Sequence, residues 1–185
     1  MSLKDLESLI NLYLNNNRLA ALPENIFKFN LKLRSLVLDD NKIKTFNPTT
    51  FDSLSNLNLI SISSNIISSL NSDWFKNCHR LTEFECENNK FSQIPSDFLS
   101  NMLLLKFVDF SKNPLTFIDM AIFKNNKEIL KIRFKGSKDT RILNIDVFGE
   151  LPKLKSIFLE PCKDRSFSDV YEELEQPVKA DCATH

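Results

Sequence analysis

Apolar and polar positions alternate along this chain in a pattern that returns every 24 residues. The clearest copy is residues 33–51, LRSLVLDDNKIKTFNPTTF, where spaced leucines are followed by an asparagine and then a phenylalanine. The first leucine and the asparagine of the pattern both recur at this interval. They are Leu9, Leu33, Leu57, Leu81 and Leu105, and Asn17, Asn41, Asn65, Asn89 and Asn113. Self-similarity with a period of about 20–29 residues predicts a solenoid whose units pack on their neighbours.

Each unit begins with a short alternating stretch that predicts a β-strand. Alternate side chains of a strand point to opposite faces, so the apolar ones are expected to face the core. The inward pairs are Leu12/Leu14, Leu36/Leu38, Ile60/Ile62, Phe84/Cys86 and Val108/Phe110. Successive strands would form one parallel sheet, and the asparagine after each strand could satisfy backbone groups of neighbouring turns. A second apolar column should stack behind the sheet. It consists of Phe27, Phe51, Phe75, Leu99 and Phe123.

The pattern is less regular at both ends of the chain. Residues 1–8 indicate a partial N-terminal repeat or cap, and about seven repeats cover residues 9–159. In the sixth repeat Ser137 replaces the asparagine, which predicts a distorted unit with a mobile loop, and the strand after it comes one residue late. Residues 160–185 contain an acidic, helix-compatible run and are interpreted as a C-terminal cap. Together these parts predict a single domain over residues 1–185.

The repeat unit resembles the leucine-rich repeat of the typical extracellular class. The 24-residue form L-x-x-L-x-L-x-x-N-x-L-x-x-L-P-x-x-x-F is matched most fully by LINLYLNNNRLAALPENIF, residues 9–27. That class includes Toll-type receptor ectodomains, variable lymphocyte receptors and small leucine-rich proteoglycans. The resemblance covers about residues 3–160. It implies an α/β fold, a curved horseshoe with a parallel β-sheet on the concave face, loops and short helical turns on the convex face, and a C-terminal cap.

The resemblance also implies a function. Members of this class bind other macromolecules and carry no catalytic chemistry in their repeats, so we expect a protein-binding recognition module in a setting such as innate immunity or adhesion. The class often ends in a cysteine-bearing cap, and a Cys162–Cys182 disulfide in an extracellular, secreted protein is the expectation here. The alternative is an intracellular, cytoplasmic adaptor or regulatory scaffold with reduced thiols. Cys78 and Cys86 fall in core columns and are interpreted as buried thiols.

Charge and motif content narrow the function further. Lys+Arg and Asp+Glu each number 24, so the zero net charge argues against nucleic acid or an anionic membrane as partner. No apolar run approaches the roughly 20 residues that span a bilayer, so no integral membrane segment is expected. His79 and His185 lie far apart, and neither a metal-binding nor a phosphate-binding motif occurs in the sequence. We therefore expect no enzyme and no cofactor, but a protein or other macromolecular ligand. The open edge of the first strand would also allow dimerisation.

The outward positions of the strands form the candidate binding surface. They place an acidic middle beside a basic end and include several apolar side chains, a combination that would steer a partner of complementary polarity. The competing interpretation is a solvated face whose charges pair across strands. The candidate ligand-binding residues of the concave face are Tyr13, Val37, Asp39, Glu83, Glu85, Glu87, Phe107, Asp109, Lys131, Arg133, Lys135 and Phe158.

Overall fold

A parallel sheet of short strands runs the length of the molecule. The structure, a computed structural model, describes residues 3–135 and 140–160. Its strands are β1 (Asn11–Tyr13), β2 (Ser35–Val37), β3 (Leu59–Ser61), β4 (Glu83–Glu85), β5 (Phe107–Asp109), β6 (Phe117–Asp119), β7 (Lys131–Lys135), β8 (Arg141–Leu143) and β9 (Ser156–Glu160). The main sheet has the order β1-β2-β3-β4-β5-β7-β9, and β6 and β8 form a separate two-stranded sheet. The predicted solenoid with a parallel sheet is therefore confirmed.

The strands pair in the register that the repeat predicts. Tyr13 lies beside Val37 and Val37 beside Ser61, so equivalent positions of successive repeats are neighbours. The pairing of β7 with β9 is shifted by one residue, because Lys131 lies beside Ser156. This confirms that the last strand comes one residue late. Each row across the sheet is consequently a set of side chains that the sequence spacing aligns.

The asparagines form a continuous ladder beside the sheet. The side-chain amide of Asn65 donates to the carbonyl oxygens of Leu38, Ile62 and Ser63 at 3.0–3.1 Å, and its oxygen accepts from the backbone N–H of Ile43 at 2.9 Å. The donor group and the acceptor group of this buried amide are thereby both hydrogen-bonded. The buried amides of the other interior repeats likewise donate to three carbonyl oxygens each and accept one backbone N–H. These are Asn41, Asn89 and Asn113.

An aromatic column fills the space behind the sheet. The rings of Phe27 and Phe51 stack with centroids 6.2 Å apart, and those of Phe51 and Phe75 stack at 5.1 Å. All three side chains are buried, as are Leu99 and Phe123 further along. The predicted second apolar column is therefore confirmed. Because apolar surface is removed from water at every repeat, the column stabilises the array along its whole described length.

The convex side carries short helical turns, as the fold class predicted. Among the described residues, three 3-10 turns span Ser72–Phe75, Met120–Phe123 and Ile145–Glu150. The first begins after Asn71, whose side chain accepts from the backbone N–H of Asp73 at 2.8 Å. The turn buries Trp74, whose indole N–H donates to the Phe46 carbonyl oxygen at 3.2 Å. The polar tip of this large side chain thus has a partner in the core.

Several features of the fold were not predicted from the sequence. A second buried amide position holds Asn30, which donates to the carbonyl oxygens of Leu3 and Leu6, and Asn126, which occupies the equivalent place further along. The small sheet of β6 and β8 is also new. The residue before each ladder asparagine adopts a positive φ of 52–57°. These left-handed residues are Asn16, Asp40, Ser64, Asn88 and Lys112.

Some predictions fall outside the described residues. They are the irregular loop around Ser137, the C-terminal cap and the Cys162–Cys182 disulfide, and all three stay predictions. Within the described ranges, no helix has the length and hydrophobicity needed to cross a membrane.

Candidate ligand-binding face

Two rows of side chains cross the concave face, the side of the main sheet that is turned away from the core. Strand pairing aligns one row as Tyr13, Val37, Ser61, Glu85, Asp109, Arg133 and Phe158. It aligns the second as Asn11, Ser35, Leu59, Glu83, Phe107, Lys131 and Ser156. Nine of the twelve predicted site residues lie in these rows. Asp39 and Glu87 lie just after their strands, and Lys135 lies in β7 opposite Glu160.

The structure divides the predicted site residues into separate groups. Tyr13 lies on β1 with 63% of its surface exposed, and the half-buried Val37 lies beside it. β3 separates this apolar end from the charged residues on β4, β5 and β7. The charged residues on these three strands therefore form the more compact cluster. Both patches described below are built around it, and they also include Asp39, which follows β2, and Phe158 on β9.

The acidic patch consists of Asp39, Glu83, Glu85, Glu87 and Asp109. Within it, the Asp39 carboxylate accepts a hydrogen bond from the Ser61 hydroxyl at 2.6 Å and another from the Ser63 backbone N–H at 2.8 Å. Burial nevertheless raises the pKa of Asp39, against the effect of these bonds and with help from nearby carboxylates. Asp39 is thus a fixed part of the sheet surface and not a freely moving side chain.

Glu85 lies at the centre of the acidic patch. Burial raises the pKa of Glu85 above the usual range, and the neighbouring charges of Asp39, Asp109 and Glu83 raise it further, while Arg133 opposes the shift. Like charges held together in a partly desolvated place disfavour ionisation. A cation bound over this patch would reduce the repulsion between its carboxylates. The patch is therefore a candidate binding position for a basic group.

The cation–aromatic patch consists of Phe107, Lys131, Arg133 and Phe158. The Lys131 ammonium lies 5.6 Å from the ring centre of Phe107 and 4.9 Å from that of Phe158. The guanidinium carbon of Arg133 lies 5.3 and 5.5 Å from the same two ring centres. Lys131 and Arg133 of β7 are therefore both held between a ring from β5 and a ring from β9, within the range of cation–π attraction.

Asp109 connects the two patches from below. The sequence placed this residue outward on the concave face, and the structure shows only 4% of its side chain exposed. Its carboxylate accepts from the Ser111 backbone N–H at 2.9 Å and lies 3.6 Å from a guanidinium nitrogen of Arg133. Asp109 therefore supports Arg133 from beneath and offers little surface of its own to a ligand.

Lys112 also lies on this face, although it is not among the outward strand positions that the sequence predicts. Its ammonium lies 2.6 Å from a carboxylate oxygen of Glu87, and this hydrogen bond raises the pKa of Lys112. The pair lies beside a shallow depression of about 310 Å³ that Arg133 and Phe158 also line. Lys112 has a φ of 56°, an uncommon conformation for a long side chain, so its neighbours hold it there. The sequence signal that could have identified Lys112 is its position directly before Asn113, one of the ladder asparagines.

The two buried cysteines are poor nucleophiles, and the described residues form no metal-binding cluster. Cys78 and Cys86 are free and buried, which confirms their interpretation as core thiols. Burial raises the pKa of Cys78 to about 12 and raises that of Cys86 well above its usual value, so neither supplies a thiolate near neutral pH. In residues 3–135 and 140–160, no group of three or more His, Cys, Asp or Glu side chains is arranged to hold a metal ion.

Family models and solved structures agree with this architecture. A leucine-rich-repeat model matches residues 7–65, and a model of the BspA-type leucine-rich-repeat region matches residues 65–169. The chain belongs to the leucine-rich-repeat family. No curated protein sequence matches it significantly.

The structural neighbours are longer leucine-rich-repeat proteins. TLR13, in a complex with the single-stranded RNA ssRNA13, superposes on 85% of this chain with a TM-score of 0.78 and 25% identity. An internalin, inlF, of Listeria monocytogenes superposes on 99% with a TM-score of 0.74 and 22% identity. Internalin C2 of the same organism superposes on 85% with a TM-score of 0.68 and 19% identity. This chain spans only 22%, 50% and 64% of the respective neighbours. The likeness to the internalins shows the fold alone.

Proposed function

We propose that this chain is a non-enzymatic recognition module that binds a protein ligand on its concave sheet. The observation that carries the proposal is the cation–aromatic patch on β5, β7 and β9, directly beside the acidic patch, whose Glu83 and Glu85 lie on β4. Arginine and aromatic side chains dominate binding energy at protein interfaces, and complementary charge sets partner choice and association rate. The family commonly binds proteins, which supports the same assignment.

The geometry of the patch supports binding without large rearrangement. Phe107 and Phe158 flank the two cations, and Asp109 lies within 3.6 Å of Arg133 from below. Side chains already held in place lose less rotational freedom when a ligand arrives. The half-buried rings also offer apolar surface that a partner can remove from water. The patch is therefore suited to act as the anchor of an interface.

Binding measurements on matched variants test this proposal. A partner is first identified among secreted and cell-surface proteins, and its affinity for the purified chain is then measured by surface plasmon resonance. The double variant Arg133→Met/Phe158→Ala should lose at least tenfold in affinity. The convex variant Lys124→Ala, at the exposed end of the second 3-10 turn, should bind as the unaltered chain does. A loss confined to Lys124→Ala would move the binding site to the convex loops and contradict the proposal.

We place the protein outside the cell, in a recognition role of the kind that the resemblance to Toll-type receptors suggests. This location rests on the typical extracellular repeat class and on the predicted Cys162–Cys182 disulfide. Alkylation of the unfolded, unreduced protein followed by peptide mass mapping tests it. Two modified cysteines, Cys78 and Cys86, support the secreted module. Four modified cysteines, in protein kept at its native redox state, support the intracellular adaptor.

We also propose that two copies associate through the edge of the sheet. In the described sheet β1 is the terminal strand, and Ile10 and Tyr13 expose 47% and 63% of their surface there. An exposed strand edge with apolar side chains invites pairing. Sedimentation velocity should show a concentration-dependent dimer that Tyr13→Lys abolishes. A monomer at all concentrations would contradict this part of the proposal.

A further inference from the structure

We infer that the ligand of the concave face is a peptide segment in the polyproline II conformation, with an acidic and a basic side chain three residues apart. The acidic side chain would bind at Lys131 and Arg133, and the basic one at Glu83 and Glu85. This inference rests on the proposed function, because it assigns the partner chemistry of the same face. Either chain direction of the peptide satisfies it.

The spacing follows from the strand register. Glu83, Phe107 and Lys131 lie side by side on β4, β5 and β7, and Glu85, Asp109 and Arg133 form the parallel row. The two carboxylates therefore lie two strands from the two cations. Neighbouring strands are about 4.8 Å apart, which makes this separation roughly 9.6 Å. A peptide in the polyproline II conformation advances about 3.1 Å per residue and presents every third side chain on the same face. Three residues of a peptide crossing the sheet cover the distance.

The proposed binding position for the acidic side chain, at Lys131 and Arg133, carries excess positive charge. Lys131 and Arg133 project from the same face of β7, because they are two residues apart on a strand. In the described structure the nearby carboxylate of Asp109 is 3.6 Å from one nitrogen of Arg133 and compensates one of the two charges. Phe107 and Phe158 limit the directions in which the cations can turn. A carboxylate entering between them completes the charge balance and accepts hydrogen bonds from both.

The proposed binding position for the basic side chain, at Glu83 and Glu85, carries excess negative charge. Glu83 is exposed and Glu85 is half-buried on the same strand, and each lies beside a β5 residue that is not a cation. Glu87 already forms an ion pair with Lys112 at 2.6 Å. Glu83 and Glu85 are therefore the glutamates whose charge a ligand cation would balance. Burial and neighbouring carboxylates raise the pKa of Glu85, and Arg133 offsets this only in part, in agreement with an incompletely compensated negative site.

A nucleic acid fits this arrangement poorly, although the TLR13 neighbour was solved with single-stranded RNA. A polyphosphate chain that reached Lys131 and Arg133 would carry its next charges toward Glu83 and Glu85, about 10 Å away by the strand spacing. Repulsion there opposes binding. The sandwiching cations also occupy one face of each phenylalanine ring, which leaves less ring surface for base stacking. A peptide segment of mixed charge complements both binding positions.

The first experiment compares short probes by nuclear magnetic resonance. The 15N-labelled chain is titrated with the peptide GSDSSKSG, with its isomer GSDKSSSG, with the all-acidic GSDSSDSG and with hexauridylate. GSDSSKSG should shift the amide signals of β4, β5 and β7 with a saturable curve, at least fivefold tighter than each other probe. Absence of saturable shifts, equal affinity for the isomer, or tighter binding of hexauridylate would each overturn the inference.

Charge reversal on the protein provides the second experiment. Arg133→Glu should lose affinity for GSDSSKSG about tenfold and gain affinity for GSKSSKSG, whereas the convex control Lys124→Glu should behave as the unaltered chain. If Arg133→Glu does not fold, Arg133→Met is used, and it should lose GSDSSKSG without gaining the other peptide. Unchanged peptide affinity in a folded variant overturns the inference.

The two proposals fail in different ways. If the peptides show no preference while a protein partner still depends on Arg133 and Phe158, the spacing inference is wrong and the proposed function stands. If a protein partner binds regardless of these residues, the proposed function is wrong as well.

Discussion

The two faces of the main sheet are built from the same strands, but one face repeats the same kind of side chain in every unit and the other varies from strand to strand. The inner face packs on an arrangement that repeats in every unit, a stacked phenylalanine column behind the sheet and an amide ladder beside it. In that ladder Asn41, Asn65 and Asn89 bind their neighbours in the same way. The concave face changes from strand to strand, from Tyr13 through Glu85 to Phe158. Repetition therefore stabilises the array, and variation across the opposite face supplies its recognition chemistry.

This difference predicts that stability and binding separate cleanly by face. Substitutions on the inner face should lower the free energy of unfolding, because each removes buried packing or a satisfied hydrogen-bond group. Substitutions on the concave face should mostly change binding. The following variants examine the difference in order of expected effect.

The largest effect is expected for Phe75→Ala. The Phe75 ring is 1% exposed, stacks on Phe51 at 5.1 Å and contacts Phe84 at 5.3 Å, so its removal leaves a cavity. Loss of a buried phenylalanine costs about 3–5 kcal/mol. Urea denaturation followed by circular dichroism measures the change. Phe29→Ala, at a position that is 46% exposed, is the matched control and should cost far less. Equal losses in the two variants would show that the aromatic column does not stabilise the array.

A smaller effect is expected for Asn65→Ala. This substitution removes one amide that serves four backbone groups, and it leaves buried carbonyl oxygens without their donor. The cost should be about 2–3 kcal/mol, the penalty for orphaned buried polar groups. Asn17→Ala is the control, because Asn17 is exposed and its amide donates only to the Leu14 and Asn15 carbonyl oxygens. Comparable denaturation midpoints for the two variants would contradict the ladder's role.

The smallest effect on stability is expected for Glu85→Gln, and its sign is opposite. The raised pKa of Glu85 means that its ionised form destabilises the folded chain. The favourable contribution of the protonated form is complete below the ordinary glutamate value of about 4.3 and is lost as pH rises through the raised value. Glu85→Gln should therefore be more stable than the unaltered chain at pH 7 by about 0.5 kcal/mol.

The pH dependence of this variant supplies its own check. The stability difference should shrink as the pH falls toward 4, where Glu85 becomes protonated in the unaltered chain. Denaturation midpoints at pH 4 and pH 7 give the comparison, with Glu24→Gln, at an exposed position before the aromatic column, as control. A Glu85→Gln variant that is less stable at pH 7 would show that Glu85 is compensated within the sheet and needs no basic ligand.

The inner face was predictable from the sequence because it depends on periodicity. A strict 24-residue interval assigns the inward positions, the ladder asparagines and the aromatic column without any knowledge of distances. Asn30 and Asn126 escaped prediction because Leu54, Cys78 and Met102 occupy the intervening repeats, which makes the column look apolar. The left-handed residue before each ladder asparagine also varies in type. A common backbone position with different side chains leaves a weak sequence signal.

The concave face was only partly predictable, because strand alternation gives the direction of a side chain but not its depth. Asp109 was assigned outward, yet Arg133 and the neighbouring rows leave only 4% of its side chain exposed. Lys112 lies after β5, where the alternation ends; its place in the period, directly before a ladder asparagine, marks a left-handed backbone position but does not give its distance to Glu87. The cation–aromatic sandwich depends on distances between three strands, which the sequence alone does not supply.

Site-specific photo-cross-linking tests the central claim most directly. A benzophenone amino acid is placed at Ser156, beside Lys131 on the concave face, or at Lys124 on the convex side, and the folded variants are irradiated with extracellular proteins. The account predicts a covalent adduct with a protein partner from position 156, none from position 124, and loss of the adduct when Arg133→Met is added. An adduct that forms from position 124 alone, or that persists undiminished with Arg133→Met, would contradict it.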